Sequence, residues 1–234
     1  MEPKFSFAFT PFLKEPMQEK HFQFVKDIGC KYIELPAIAK PFFDVENNSQ
    51  VHFVQSCLKK FNIKVNSVHC SVVANRDSAQ AQHFVFKEIG LLSQLGGKYY
   101  TLHDSVFFTD PNTLIIGRNG NPCPHFSLMR DLKAKPEATK KKIRQELYPM
   151  IEYARKHKVT ITLETEMDYN DYLLELIEGM DPQACAICLD IGHAQLESNA
   201  VRVAKLMSSK IVNVHIHDNH GREDEHLLPF EGII

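Results

Sequence analysis

Imidazole and carboxylate side chains recur at the ends of short apolar runs along this chain. They are His69, His103, Glu164, Asp190 with His193 close behind, and His215-Ile216-His217, with Asp224-Glu225-His226 a few residues further on. Neutral imidazole and carboxylate are ligands that Zn²⁺ and Mn²⁺ accept, and one carboxylate can bridge two ions. A carboxylate beside such an ion can also move a proton from a C–H that the metal acidifies. Without a cation, Glu164, Asp190 and Asp224 packed together would be an electrostatic liability. A lone His or Asp after a strand usually makes a cap or a core hydrogen bond. Five successive strands that all end in such residues call for a common purpose.

The elements that must position them alternate. Apolar strand-like runs are read at Lys4–Phe9, Tyr32–Pro36, Lys64–His69, Tyr99–His103, Thr160–Glu164, Ala186–Asp190 and Ile211–His217. Helical periods lie between them, at about Gln18–Ile28, Gln50–Phe61, Ala79–Leu95, Glu137–His157, Tyr169–Gly179 and Ser198–Ser208. In the fourth helix Ile143, Leu147, Ile151 and Ala154 form one stripe, with the lysines around Lys141 largely off it. Pro149 inside it is expected to kink or break it. Strict alternation makes this an α/β protein with a parallel sheet and helices outside. An open doubly wound sheet and a (β/α)₈ barrel compete; only the barrel brings all the strand ends to one mouth, where active sites sit. The segment 104–135, with Pro111, Gly117, Gly120, Pro122 and Pro124, is a long connection and a candidate lid over that mouth.

Composition narrows the classes. The chain has 234 residues, 27 Lys plus Arg against 29 Asp plus Glu, and 44% hydrophobic residues, which suits a single globular domain over 1–234. The near-neutral balance disfavours a generally basic nucleic-acid binder. No run approaches the roughly 20 apolar residues that span a bilayer, and no signal-peptide pattern opens the sequence. The six cysteines are read as free thiols, pointing to the cytoplasm; Cys185 and Cys188 sit in a strand-like run and are expected to be core residues and not a redox pair. No GxGxxG, GxxxxGK[ST] or GxSxG occurs.

The segments Leu163-Glu164, Asp190-Ile-Gly-His193, Val214-His-Ile-His-Asp218-Asn219 and Asp224-Glu-His226-Leu-Leu-Pro-Phe-Glu-Gly-Ile-Ile234 resemble the xylose isomerase-like TIM barrels. That superfamily includes sugar and sugar phosphate isomerases and epimerases, inosose dehydratase-type enzymes and endonuclease IV. The resemblance implies a shared metal site of Glu164, Asp190 and His215, completed by a glutamate on an eighth strand. It implies two further sites in three-zinc relatives: His69 and His103 with Glu164 bridging, and His193 with Asp224 and His226. Zn²⁺ or Mn²⁺ is favoured, with Mg²⁺ or Co²⁺ admissible.

Within the superfamily, the residues around the ligands favour the sugar enzymes over the nuclease. Val72, Asp104-Ser105 and Thr165-Glu166-Met167-Asp168 stand where the nuclease pattern has other residues, and the extra acids would repel a phosphate backbone. The expected activity is a metal-dependent isomerase or epimerase on a small sugar, polyol or sugar phosphate, with no nucleic acid or membrane partner and a homo-oligomer allowed. The alternatives are an endonuclease IV-like enzyme acting at abasic sites, and a barrel that binds sugar or metal without turnover. Glu164 would be the proton carrier and His193 a polar catalytic contact or a ligand. Arg222, Glu34 and His217 are candidate substrate contacts, with His217 ranked as supporting the ligands. Seven strands can be counted, so the barrel is expected to appear truncated after strand 7, with open edges on the first and last strands.

Overall fold

The structure, a computed structural model, describes residues 4–9, 15–36, 43–70, 78–103, 136–167 and 170–234. Seven strands form one sheet: β1 (Ser6–Ala8), β2 (Tyr32–Leu35), β3 (Lys64–His69), β4 (Tyr99–Leu102), β5 (Thr160–Glu164), β6 (Cys185–Asp190) and β7 (Ile211–His215). They lie in chain order, each parallel to the next. The helices between them are α1 (Glu19–Asp27), α2 (Asn48–Phe61), α3 (Ser78–Gln94), α4 (Pro136–Lys156), α5 (Asp171–Leu176), α6 (Ile191–Glu197) and α7 (Ala200–Met207).

The sheet curls as a barrel wall does. Glu34 of β2 and His215 of β7 are five strands apart along the sheet, yet Oε2 and Nε2 meet at 3.2 Å. The side-chain amide of Asn213 on β7 likewise donates to Thr101 Oγ1 on β4 at 3.4 Å, across the interior. Among the described residues β1 and β7 are the two edges and no eighth strand is present.

Alternation along each strand sorts the chain into an apolar outer layer and a polar interior. Ile33, Leu35, Leu102, Ile161, Leu163 and Ile187 are buried, in one core with Phe22, Val25, Val54, Ile89 and Leu92 of the helices. Removing each such side chain from water is worth about 1.5–3 kcal/mol. β5 is buried along its whole length, whereas β7 alternates, with Val212 and Val214 outside and exposed.

Of the kink or break expected at Pro149, no break occurs: the helix α4 continues through it. Proline removes one backbone donor, but buried Ile143, Leu147, Met150, Ile151 and Ala154 hold the two halves on the core as a single stripe. Cys185 and Cys188 are buried free thiols, and burial pushes both up to about 12, so neither is a reactive thiolate. The candidate lid 104–135, Val72 and Asp168 lie outside the described residues. No described helix is long and apolar enough to cross a membrane.

Candidate metal centre

The carboxyl ends of β2 to β7 deliver their polar residues to one rim. Glu164, the last residue of β5, is 1% exposed and stands at its centre. Its Oε1 accepts from His215 Nδ1 at 2.9 Å. Its Oε2 lies 3.0 Å from His69 Nε2 and 3.3 Å from His103 Nε2, and those two nitrogens are 3.3 Å apart. His193 Nδ1 is 3.9 Å from Oε1. Burial alone would raise the Glu164 carboxyl, but the fields of His215, His103 and His69 outweigh it and hold the group well below the ordinary glutamate range.

The imidazoles answer in the opposite sense. Burial would lower His103, yet Glu164 and Glu166 raise it to about 9. His193 and His215 are likewise raised well above the usual value against their burial, His193 chiefly by Asp190 and Asp224, His215 by the Glu34 and Glu164 carboxylates. Glu34 is 4% exposed; burial pushes its carboxyl up, but His215 and the Ser67 hydroxyl, which donates at 2.7 Å, draw it down.

A second group sits beside the first. Asp190 accepts the His193 N–H on Oδ1 at 2.8 Å, which starts α6 directly from the end of β6 and puts His193 on its first turn. His193 Nδ1 donates to the Thr165 carbonyl at 2.9 Å, so its Nε2 is turned toward Asp224 Oδ2, 3.3 Å away. His226 Nε2 is 3.0 Å from the same Asp224 oxygen. His217 Nε2 reaches Asp190 at 2.8 Å and 3.1 Å. The loop carrying Asp224 and His226 is held by Asp218, 2% exposed, which accepts the N–H groups of Asn219, Phe230, Gly232 and Ile234 at 2.8–3.1 Å.

Three sets of side chains bring one nitrogen or oxygen each to within 4.8 Å of one another: His69, Glu164 and His215; Glu164, Asp190 and His193; and His193, His217, Asp224 and His226. The expected trio of Glu164, Asp190 and His215 is thus divided between two of them, with Asp190 Oδ2 3.8 Å from His215 Nδ1. The donor chemistry fits a divalent cation. Glu164 Oε2 is buried, has two ring nitrogens at ion-pair distance, and accepts no hydrogen bond. A proton can serve one pair of atoms at that point, while a cation serves all three.

The structure brings together Glu34, His69, His103, Glu164, Asp190, His193, His215, His217, Asp224 and His226. Arg222 is exposed in the loop after β7, two residues before Asp224. Three contributors were not assigned from sequence. Glu166 Oε1 bonds His103 Nδ1 at 2.8 Å, and its backbone is fixed by both ends of the Asn170 amide. Thr165 Oγ1 accepts from the Asp190 N–H at 2.8 Å, tying β5 to β6. At Gly192 any Cβ would lie 2.0 Å from His217 Cε1, so only glycine admits that ring. The glycine of Asp-Ile-Gly-His was the available signal.

The family described as xylose isomerase-like TIM barrel matches residues 22–234, and the chain belongs to it. Among solved structures it is similar to a D-tagatose 3-epimerase-like protein (16% identity, TM-score 0.73, 98% of this chain and 82% of that one). The IOLI protein with a bound zinc atom is also similar (17%, TM-score 0.71, 99% and 81%), as is a 3-keto-D-glucoside 4-epimerase from E. coli (17%, TM-score 0.69, 100% and 84%). These likenesses establish the fold. An uncharacterized protein of Methanocaldococcus jannaschii is 40% identical over 81 residues, covering 32% of this chain and 31% of that protein. A second from the same organism is 32% identical over 98 residues, so the matched stretches span about a third of these relatives.

Proposed function

We propose that this chain is a divalent-metal-dependent isomerase or epimerase of a small sugar, polyol or sugar phosphate, with Zn²⁺ or Mn²⁺ as the favoured ion. The observation that carries this reading is the Glu164 carboxylate, buried among three imidazoles with one oxygen outside every hydrogen bond. His69, Glu164, Asp190 and His215 would hold the ion, with His103 at the same oxygen of Glu164. The bound ion would polarise a substrate carbonyl or hydroxyl and acidify the neighbouring C–H.

Glu164 would accept that proton. It remains ionised because the imidazoles around it outweigh its burial. Glu34 and Glu166 fix the rings of His215 and His103 from behind, the support that ligand imidazoles ordinarily receive. His193, with Nδ1 held by the Thr165 carbonyl, keeps the other nitrogen for a substrate hydroxyl or a second ion. Epimerases among the structural relatives agree with proton-transfer chemistry on a sugar.

The test is solvent deuterium wash-in. Metal-loaded protein incubated in D₂O with a panel of ketoses, polyols and their phosphates should label one member at carbon, and Glu164→Gln should stop it. No labelling of any member, with metal bound, would remove the isomerase reading. The side chains present for three ions, all that the resemblance implies but the eighth-strand glutamate, favour one rival, metal-dependent cleavage at abasic sites; incision of an abasic duplex at low enzyme concentration would promote it.

A further inference from the structure

We propose that His217 is a direct ligand in a second, outer metal site, completing a four-residue set with His193, Asp224 and His226; the inference rests on the metal-centre reading above. The sequence gives His217 only a supporting place, two residues beyond His215 on the same face. The geometry gives it more. One nitrogen or oxygen from each of these four side chains lies within 4.8 Å of every other. The His217 ring stacks on His226 at 4.1 Å and meets His193 edge-on at 5.8 Å, with Nε2 3.7 Å from Asp224 Oδ1.

Two atoms in this group are buried without a hydrogen-bond partner: Asp224 Oδ1 and His217 Nδ1. The His217 side chain is 9% exposed. Leaving an acceptor and an imidazole nitrogen of one cluster both unsatisfied costs stability, and such pairs in a folded protein call for a missing partner. Three imidazoles and one carboxylate form an N₃O set, suited to tetrahedral Zn²⁺. The ring also has a built seat, since the bare backbone of Gly192 is what lets it stand there.

His217 touches Asp190 as well, at 2.8 Å, so a ring that merely orients Asp190 is the competing role. The two roles separate by which ion is lost. Full-length protein is stripped with chelator, then titrated with Co²⁺ or Zn²⁺, reading stoichiometry by elemental analysis and coordination by the visible Co²⁺ spectrum. The wild type should bind an ion whose spectrum vanishes in His226→Ala, a residue that touches only the outer group. His217→Ala should weaken that same ion at least about tenfold and change its spectrum toward a higher coordination number, with circular dichroism confirming the fold. Free imidazole, filling the space left by alanine, should restore it.

Unchanged outer-ion affinity in His217→Ala overturns the proposal, as does loss of the inner ion with the outer one kept. If both ions are lost, failure of imidazole to restore the outer spectrum overturns it as well. These outcomes are read without substrate. An ion abolished by Glu164→Gln but indifferent to His217 would leave the inner-centre reading standing and sink this one alone.

Discussion

The two candidate ligand groups are built differently although they share a rim. The inner one, around Glu164, hangs from strand ends: His69 on β3, Glu164 on β5 and His215 on β7, at 17%, 2% and 15% side-chain exposure. The outer one takes His193 from α6, but Asp224 and His226 from a loop, with His226 44% exposed. The ends of β3 and β5 are fixed by the ladder on both sides and that of β7 by its pairing with β6. A loop needs its own fastening, and here Asp218 supplies it. The comparison teaches that the inner group is set by the fold and the outer group by a few local contacts. The outer one should therefore be lost first when the chain is altered.

The largest expected effect is at the shared carboxylate. Glu164→Gln should remove the inner ion and lower turnover by about 10²–10⁴-fold, measured by deuterium wash-in and metal analysis. Full activity would break the comparison at its centre.

Gly192→Ala should strike only the outer group. Its methyl would land 2.0 Å from His217, so the ring must leave, and metal content should fall by the outer ion while the inner ion stays bound. Loss of both ions would show that the groups are one unit.

The pH response comes next, and it concerns the inner group. His103 is raised from 6.5 to about 9 in the folded chain. A raised imidazole contributes stability that is complete below about 6.5 and lost as pH climbs through 9. Ion-free protein should therefore melt at lower temperature at pH 9 than at pH 6.5 if this group dominates. Metal must displace such protons, so apparent Zn²⁺ affinity should rise over the same interval. Melting curves with and without metal check both. A flat profile in the ion-free protein would mean that the imidazoles are already neutral.

The smallest effect is expected from Asp218→Asn. It removes charge from a carboxylate that touches no ligand atom but anchors the outer loop. Outer-ion affinity should weaken about tenfold, the lower end of the range for supporting residues, with the inner ion unchanged.

Much of the inner group was legible because period and position do the work. β/α alternation sends strand ends to one mouth, and His69, His103, Glu164, Asp190 and His215 stand at those ends. Pairing was not legible. Which of the several neighbours each ligand candidate faces stays open in the sequence, since only the curl of the sheet decides it; His215 Nδ1 lies 2.9 Å from Glu164 Oε1 and 3.8 Å from Asp190 Oδ2. Glu166 read as a loose acid beside the site, yet it backs His103. Its role depends on Asn170 turning the chain, a contact no spacing rule announces. The short helix α6 escaped because its cap, Asp190, also closes a strand. The unbroken course of α4 through Pro149 shows tertiary packing overriding a local breaker.

The Asp218 anchor has an effect on amide hydrogen exchange. Phe230 is 96% exposed and Ile233 61%, so by side chain the last residues look like a tail in water. Their backbone amides are nonetheless all engaged: Phe230, Gly232 and Ile234 donate to Asp218, Glu231 to the Leu228 carbonyl and Ile233 to the Asn219 carbonyl. Exchange follows the opening of those bonds, not the wetness of the side chains. The segment should then carry slow-exchanging amides beneath rapidly accessible rings, and all five should quicken together when the one carboxylate is changed.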